Sequence, residues 1–409
     1  MPYREINVQD VTIHPFNPRN LRRVDWMLPL FVLLLAVIGW AVMYSASRSI
    51  DITYFHRQVT IFGAGVLVAA VIVCVDYRFL VGLGPLMYVV AIGLLAAVLL
   101  FGHEAKGSER WLWLGPFRVQ PSEMSKLIMV FFLTWYFTTI GARVRKLHWF
   151  LLTFILTGIP MALILKQPNL GTAASLGPLV MVMLFVAGAR WWHLGLIVAL
   201  GVLMVPVLWW QIRDFDPERD RPKSAAYYQL HPGERPAPRP FYELHYHQKK
   251  RIYTFLYPES DLRGSGWQTH QSKITVGSGG LSGKGFLKGT QTRLNYLPEH
   301  HTDFVFSLLA EEHGFIGVIV VIGLFTAFLL RGLMYARDCP EMMGTLLASG
   351  VVAILAFHVF VNIAITVGVL PVTGIPLPFL SYGRSFYLTT MACVGVLLSV
   401  PMRRNIFIE

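Results

Sequence analysis

Apolar residues along the chain come in blocks near twenty residues long, separated by short polar links. Ten blocks can be counted, at about 26–44, 59–76, 79–101, 122–141, 148–165, 170–188, 191–211, 303–331, 344–367 and 382–402. A helix of that length crosses roughly 30 Å of hydrocarbon. The blocks lack the sustained apolar/polar alternation that a membrane barrel needs. The pattern predicts an all-α polytopic membrane protein with ten transmembrane helices over 26–402. An N-terminal arm, 1–25, precedes them and a tail, 403–409, follows. Only one link is long: 212–302, between helices 7 and 8.

Composition agrees, with 55% hydrophobic and 14% charged residues in 409. Orientation follows from Lys and Arg in the short links. One side collects Arg4, Arg19, Arg22, Arg23, Arg78, Arg143, Arg145, Lys146, Arg190, Arg331, Arg337, Arg403 and Arg404. The other holds Arg48, Arg57, Lys106, Arg110, Arg118 and Lys166. Both termini are therefore expected in the cytoplasm and the long loop outside. A polar arm leading into a full-length block reads as an anchor, not a cleavable signal. The net charge of +12 follows largely from this bias, so no nucleic-acid partner is expected. The outer loop is also basic, with 14 Lys and Arg, which suits an anionic lipid headgroup or a diphosphate. Cys74, Cys339 and Cys393 fall within spans or on the inner side, so no disulfide is expected.

The long loop has two parts. Residues 214–247 are rich in Pro, charge and Tyr with little apolar periodicity, and read as an extended insertion or a partner-docking segment. The remainder, 249–302, carries a glycine every few residues. Its apolar "SKITV" and "LNYL" predict an ordered cap over a cavity, because non-helical backbone at membrane depth needs protein or water to satisfy it.

Four polar features converge on the outer face. In "QPSEMSK" (120–126), Glu123 and Lys126 stand i,i+3 and share a helix face; they read as a dipole-favoured acid beside a snorkelling lysine, or as a buried pair lining a cavity. In "KQPNLGT" (166–172), helix-start amides offer an anion site, though a plain turn explains the motif equally. "YPESDLRGSGWQ" (257–268) sets Asp261 between Pro258 and Gly264, where turn capping is the ordinary role. "LPEHHTDFVFSLLAEEHGFIG" (297–317) places His301 and Asp303 at a helix start and Glu311 and Glu312 inside the span, where charge is costly and usually functional. The spacing matches no zinc motif, and no metal site is expected.

These motifs, with "LPFLSYGRS" (377–385), resemble those of the SEDS family of shape, elongation, division and sporulation proteins over about 26–402. "GSGGLSGKG" followed by "GTQT" is closer to the elongation member than to the division member. The resemblance implies a peptidoglycan glycosyltransferase that polymerises lipid II, a disaccharide-pentapeptide on undecaprenyl diphosphate. It implies an active site on the outer face of the bacterial cytoplasmic membrane and work beside a class B penicillin-binding protein. Other membrane proteins of the elongation machinery and membrane lipids are further expected partners. By the same resemblance the essential acid is Asp261, and Glu123 and Lys126 line the central cavity. Four departures from the family pattern stand out: Leu262 after Asp261, Asn169 for Asp, Arg384 for Gly, and the length of 214–247.

The implied reaction inverts the anomeric carbon as a sugar 4-hydroxyl displaces undecaprenyl diphosphate. Asp261 is the expected base. Lys126, Arg57 and Lys273 are expected to neutralise the diphosphate. No firm cofactor is expected, although Mg2+ or Mn2+ bound with the diphosphate could share that load. The acids and histidines at 299–303, namely Glu299, His300, His301 and Asp303, are expected to hold the Gly-rich cap onto the eighth span and contact the sugar, while Glu311 and Glu312 bond between helices. The rival classes are a lipid II flippase and a scaffold for the penicillin-binding protein. Polar features gathered on one face, without an inverted repeat, favour the enzyme.

Overall fold

The computed structural model describes residues 24–403, except 49–50, 102, 106–107, 115–116, 168, 218, 221–243, 245, 261–264, 294–295 and 297–300. Most of the predicted apolar blocks are helices: α1 (Met27–Arg48), α2 (Thr53–Cys74), α4 (Gly84–Phe101), α5 (Pro121–Ile140), α6 (Leu147–Lys166), α7 (Leu170–Val186), α8 (Trp191–Ile212), α12 (Val305–Asp338), α13 (Met342–Thr366) and α14 (Arg384–Met402). Among the described residues, nine helical stretches are long and apolar enough to cross a membrane, and α7 is a shorter apolar helix. Its 17 residues span about 25 Å.

Three local departures from the predicted pattern have physical causes. The block at 79–101 begins as a separate short helix, α3 (Tyr77–Gly82): the Asp76 carboxylate caps its start by accepting the Arg78 amide at 2.8 Å, and Gly82, Gly84 and Pro85 interrupt the block where α4 begins. The link between α4 and α5 holds a small antiparallel sheet of order β1-β2-β3, over His103–Ala105, Ser108–Leu114 and Phe117–Val119. The two tryptophans in "SERWLWL", cut off by Gly-Pro, favour strands over a bare turn. The fold is thus mostly, not wholly, α-helical. The third departure lies inside α12, where Gly314 adopts φ 65°, ψ −164° and interrupts the helix.

The core lies where α13 packs on α5, α7 and α12, and α14 packs on α2 and α5. Nearly every residue of α14 is buried. By contrast, α8 buries only His193 and Ile212, and its remaining apolar surface suits hydrocarbon. The long loop adds three helices: α9 (Tyr246–Leu256), α10 (Ser265–Ser278) and α11 (Thr290–Arg293). The segment 249–302 is therefore more helical than its glycines suggest. Small residues of α10 and its end, namely Gly266, Thr269, Ser272, Thr275 and Gly279, form one buried face. Their size allows α10 to lie close on α12 and α13. Most of the 214–247 insertion falls outside the described residues.

Candidate functional site

α5 starts with Pro121 at its first turn, where the missing N–H costs nothing. Glu123 and Lys126 follow on one face, buried to 5% and 1% exposure. The Lys126 ammonium donates to Glu123 Oε2 at 2.8 Å and to His358 Nε2 at 2.8 Å. It also lies 5.4 Å from the centroid of the Phe386 ring. Glu123 Oε1 accepts the Thr172 hydroxyl at 3.1 Å. Asn169 caps α7 by accepting the Thr172 amide at 3.3 Å and donates to Ser122 Oγ at 3.3 Å. The "QPSEMSK" and "QPNLGT" motifs thus meet in one polar centre. Removing two charges from water is tolerable only when they are paired and hydrogen-bonded in this way. An ammonium has three donors, and two are used here. His358 is the member that sequence reasoning missed. Its signal was a lone ionisable residue in an apolar 25-residue helix.

The other expected site residues are more dispersed. Asp261 lies outside the described residues, between the exposed Ser260 and the start of α10. Lys273, on α10, is exposed; its side chain passes against Gly368 just beyond α13, where a Cβ would come 2.7 Å from Nζ. Arg57 is exposed on α2. Its charge helps hold the Asp51 carboxyl below its ordinary value, after the larger effect of hydrogen bonds from Thr53. The His301 ring lies tilted against Tyr54, with centroids 5.0 Å apart, and Tyr382, 6.4 Å away, and the His301 carbonyl accepts the Tyr382 amide at 3.0 Å. The Asp303 carbonyl accepts Asn362 Nδ2 at 3.0 Å. The Asp303 carboxylate lies near Arg251 of α9, whose guanidinium burial pulls down from its ordinary value while Asp303 opposes the shift.

The Gly-rich segment docks on the stretch of α12 that carries Glu311 and Glu312. It lies on the break in α12. Lys284 N donates to Glu311 O at 2.9 Å, Gly285 N to Glu312 O at 3.0 Å, and Phe315 N to Gly280 O at 2.9 Å. Gly283 (φ 78°) and Gly314 (φ 65°) face each other there; a Cβ on Gly314 would stand 2.6 Å from Leu281 O. Only glycine satisfies both the positive φ and the close approach. Glu311 Oε1 accepts from Lys284 Nζ at 2.6 Å, Thr290 N at 2.9 Å, Thr290 Oγ1 at 3.1 Å and Gln291 N at 3.1 Å. Glu312 accepts from Ser45 Oγ of α1. So Glu312 does bond between helices as expected, and Glu311 fastens the Gly-rich segment; Asp303, near Arg251 of α9, also faces the long loop, and Glu299 and His300 lie outside the described residues.

The described residues do not form a resident cation site. Both Glu123 oxygens are engaged, and no three His, Cys, Asp or Glu side chains come together as metal ligands.

A helical membrane protein whose core holds a buried ion pair and whose long loop docks on the bundle is the class these features define. The chain belongs to the FtsW/RodA/SpoVE family of cell cycle proteins, whose family model matches residues 25–406. It is 35% identical over 382 residues to the peptidoglycan glycosyltransferase MrdB of Escherichia coli K12, covering 93% of this chain and 94% of that one. Its fold resembles a chain of a peptidoglycan synthase complex that coordinates polymerisation and crosslinking, with TM-score 0.76, 31% identity and coverage of 94% and 99%. It also resembles the rod shape determining protein RodA of Thermus thermophilus, with TM-score 0.65, 29% identity and coverage of 93% and 97%.

Proposed function

We propose that this chain is a peptidoglycan glycosyltransferase that polymerises lipid II during cell elongation, on the outer face of the bacterial cytoplasmic membrane. The observation that carries the reading is the Lys126 ammonium held in the bundle core, with one N–H lacking a partner among the described residues. Family membership supplies the reaction class. α10, which follows directly on Asp261, is anchored above that centre: Ser272 Oγ donates to Thr366 O at 2.7 Å and lies 2.8 Å from Ser307 Oγ. Thr366 stands eight residues beyond His358 on α13, a rise of about 12 Å.

In this reading the acceptor sugar's 4-hydroxyl oxygen attacks the anomeric carbon from the face opposite the diphosphate. The new C–O bond forms as the bond from that carbon to the diphosphate oxygen breaks, so the α-linked donor becomes a β-linked product. Asp261 takes the hydroxyl proton, and undecaprenyl diphosphate leaves with the bonding electrons. Lys126 neutralises charge growing on the leaving group, and an ammonium in a low-dielectric site is worth far more there than in water. Because Lys126 is 1% exposed, contact with a diphosphate requires the cap or the loop before α14 to part. Arg57 and Lys273, exposed at the outer ends, attract the anionic head. His301 and Asp303 contact the sugar at the cavity mouth. A class B penicillin-binding protein crosslinks the product.

The test is polymerisation of lipid II by the purified chain with its penicillin-binding partner. Asp261→Asn should leave folding and partner binding intact and lower polymerisation about 10²–10⁴-fold, the usual range for a lost general base. Near-normal polymer from Asp261→Asn would remove it as the base. No polymer from the wild type, with lipid II crossing vesicle bilayers instead, would establish the flippase reading.

A further inference from the structure

α13 carries three polar residues along one stripe, His358, Asn362 and Thr366, at i, i+4 and i+8. All three are buried; His358 and Asn362 reach beyond α13 with their side chains and Thr366 with its backbone carbonyl, while its hydroxyl turns back to Asn362 O at 2.8 Å. The Thr366 carbonyl receives Ser272 of the cap at 2.7 Å. Asn362 Nδ2 donates to the carbonyls of Ile375, at 2.7 Å, and Asp303. His358, the deepest, sets Nδ1 3.3 Å from the Pro376 carbonyl and Nε2 2.8 Å from Lys126 Nζ. The stripe therefore connects the buried ammonium with the loop before α14 and the outer cap.

Donor and acceptor chemistry fixes the state of the ring. A carbonyl only accepts, so the proton sits on Nδ1; an ammonium only donates, so Nε2 is bare. One neutral tautomer meets both demands. A doubly protonated ring would set N–H against an ammonium at hydrogen-bond distance. Glu123 alone could not fix the lysine, because both sit on α5 and the long lysine stem turns freely about one contact. His358 from α13, 4.8 Å from Phe386 of α14 by ring centroids, adds the second anchor from outside α5.

We infer that His358 is a positioning residue for the polymerase: its neutral imidazole, oriented by Pro376, fixes the Lys126 ammonium where the leaving diphosphate is received. The inference rests on the reading of Lys126 given above. It predicts that the acceptor atom toward Lys126, rather than the donor toward Pro376, matters for turnover.

Two variants separate those atoms. His358→Gln places an amide near the Nε2 position and keeps an acceptor for Lys126. His358→Asn places one near Nδ1, keeps the donor for Pro376 and falls short of Lys126. Steady-state polymerisation of lipid II by the purified complex should show His358→Gln within a fewfold of wild type. His358→Asn should lose about tenfold or more in kcat/KM, the size expected when a hydrogen bond to a charged group is lost. A purely structural histidine that pins the loop gives the reverse order, and that order overturns the inference. Equal rates for Gln, Asn and wild type overturn it as well. If the wild-type complex makes no polymer, the functional reading fails and this inference falls with it. If wild type polymerises and the Asn variant matches the Gln variant, only this inference fails.

Discussion

At the scale of single residues, the Glu123–Lys126 pair is the clearest case of a feature legible in the sequence. Three-residue spacing on a helix that starts at a proline puts both side chains on one face. Their burial makes a sharp energetic prediction. Lys126→Met leaves the Glu123 carboxylate in the core with only Thr172, and breaking a buried pair typically costs about 3–5 kcal/mol. Lys126→Met with Glu123→Gln removes both charges and should cost less than that single substitution. Thermal unfolding of the detergent-solubilised protein measures this, and additive losses in the double variant would show that the two do not interact. His358 was not legible in the same way. Its partner lies 232 positions earlier, and no local spacing connects α5 with α13. The assignment of Asp261 came from family motifs, since an acid in a Pro/Gly turn looks like a cap when read locally.

At the scale of elements, the Gly-rich segment and α12 form a single device. The segment closes on a helix break, backbone to backbone, and one carboxylate oxygen of Glu311 collects four donors across it. Glu311→Ala should therefore strand the Thr290 and Gln291 amides and release Lys284, at a cost of about 2–3 kcal/mol concentrated in the cap. Hydrogen exchange is the measurement: amides of 279–291 should lose protection while those of α13 and α14 keep theirs. Unchanged exchange at 279–291 would mean that the backbone contacts alone hold the segment. The sequence pointed to Glu311 and Glu312 by the expense of charge in an apolar run, and to an ordered cap by its apolar patches. It could not reveal which acids fasten that cap. Gly314 sits in an otherwise helical pattern, and an isolated glycine there reads as a tolerated residue until the backbone pressing on it is seen.

At the scale of the whole molecule, the arginines assigned to the inner side do more than mark orientation. Arg331 donates to Asp25 Oδ2 through Nε at 2.8 Å, Arg78 to Glu341 at 2.5 and 3.1 Å, and Arg403 lies 3.4 Å from Asp76. Arg403 is also buried and donates to the carbonyls of Val73 and Val75 at 3.0 and 2.7 Å. These ties join α1, α2, α3, α12 and α14, together with the link before α13, at one end of the bundle. They pair three of that end's arginines with acids, which leaves the orientation argument intact because the rule counts Lys and Arg rather than net charge. The opposite end carries the cap, so the two ends are chemically distinct, and the expected orientation, with cytoplasmic termini, places the cap outside. That placement is directly testable. Leu281, in the cap, is 69% exposed, Lys146 is exposed in the short link between α5 and α6, and the three native cysteines are buried, which keeps background labelling low. In intact spheroplasts, Leu281→Cys should react with a membrane-impermeant maleimide and Lys146→Cys should react only after the membrane is opened. Labelling of Lys146→Cys alone in sealed cells would invert the molecule and put the Lys126 centre beneath the wrong leaflet for an extracytoplasmic polymerase. The functional reading therefore depends on this orientation as much as on any single side chain.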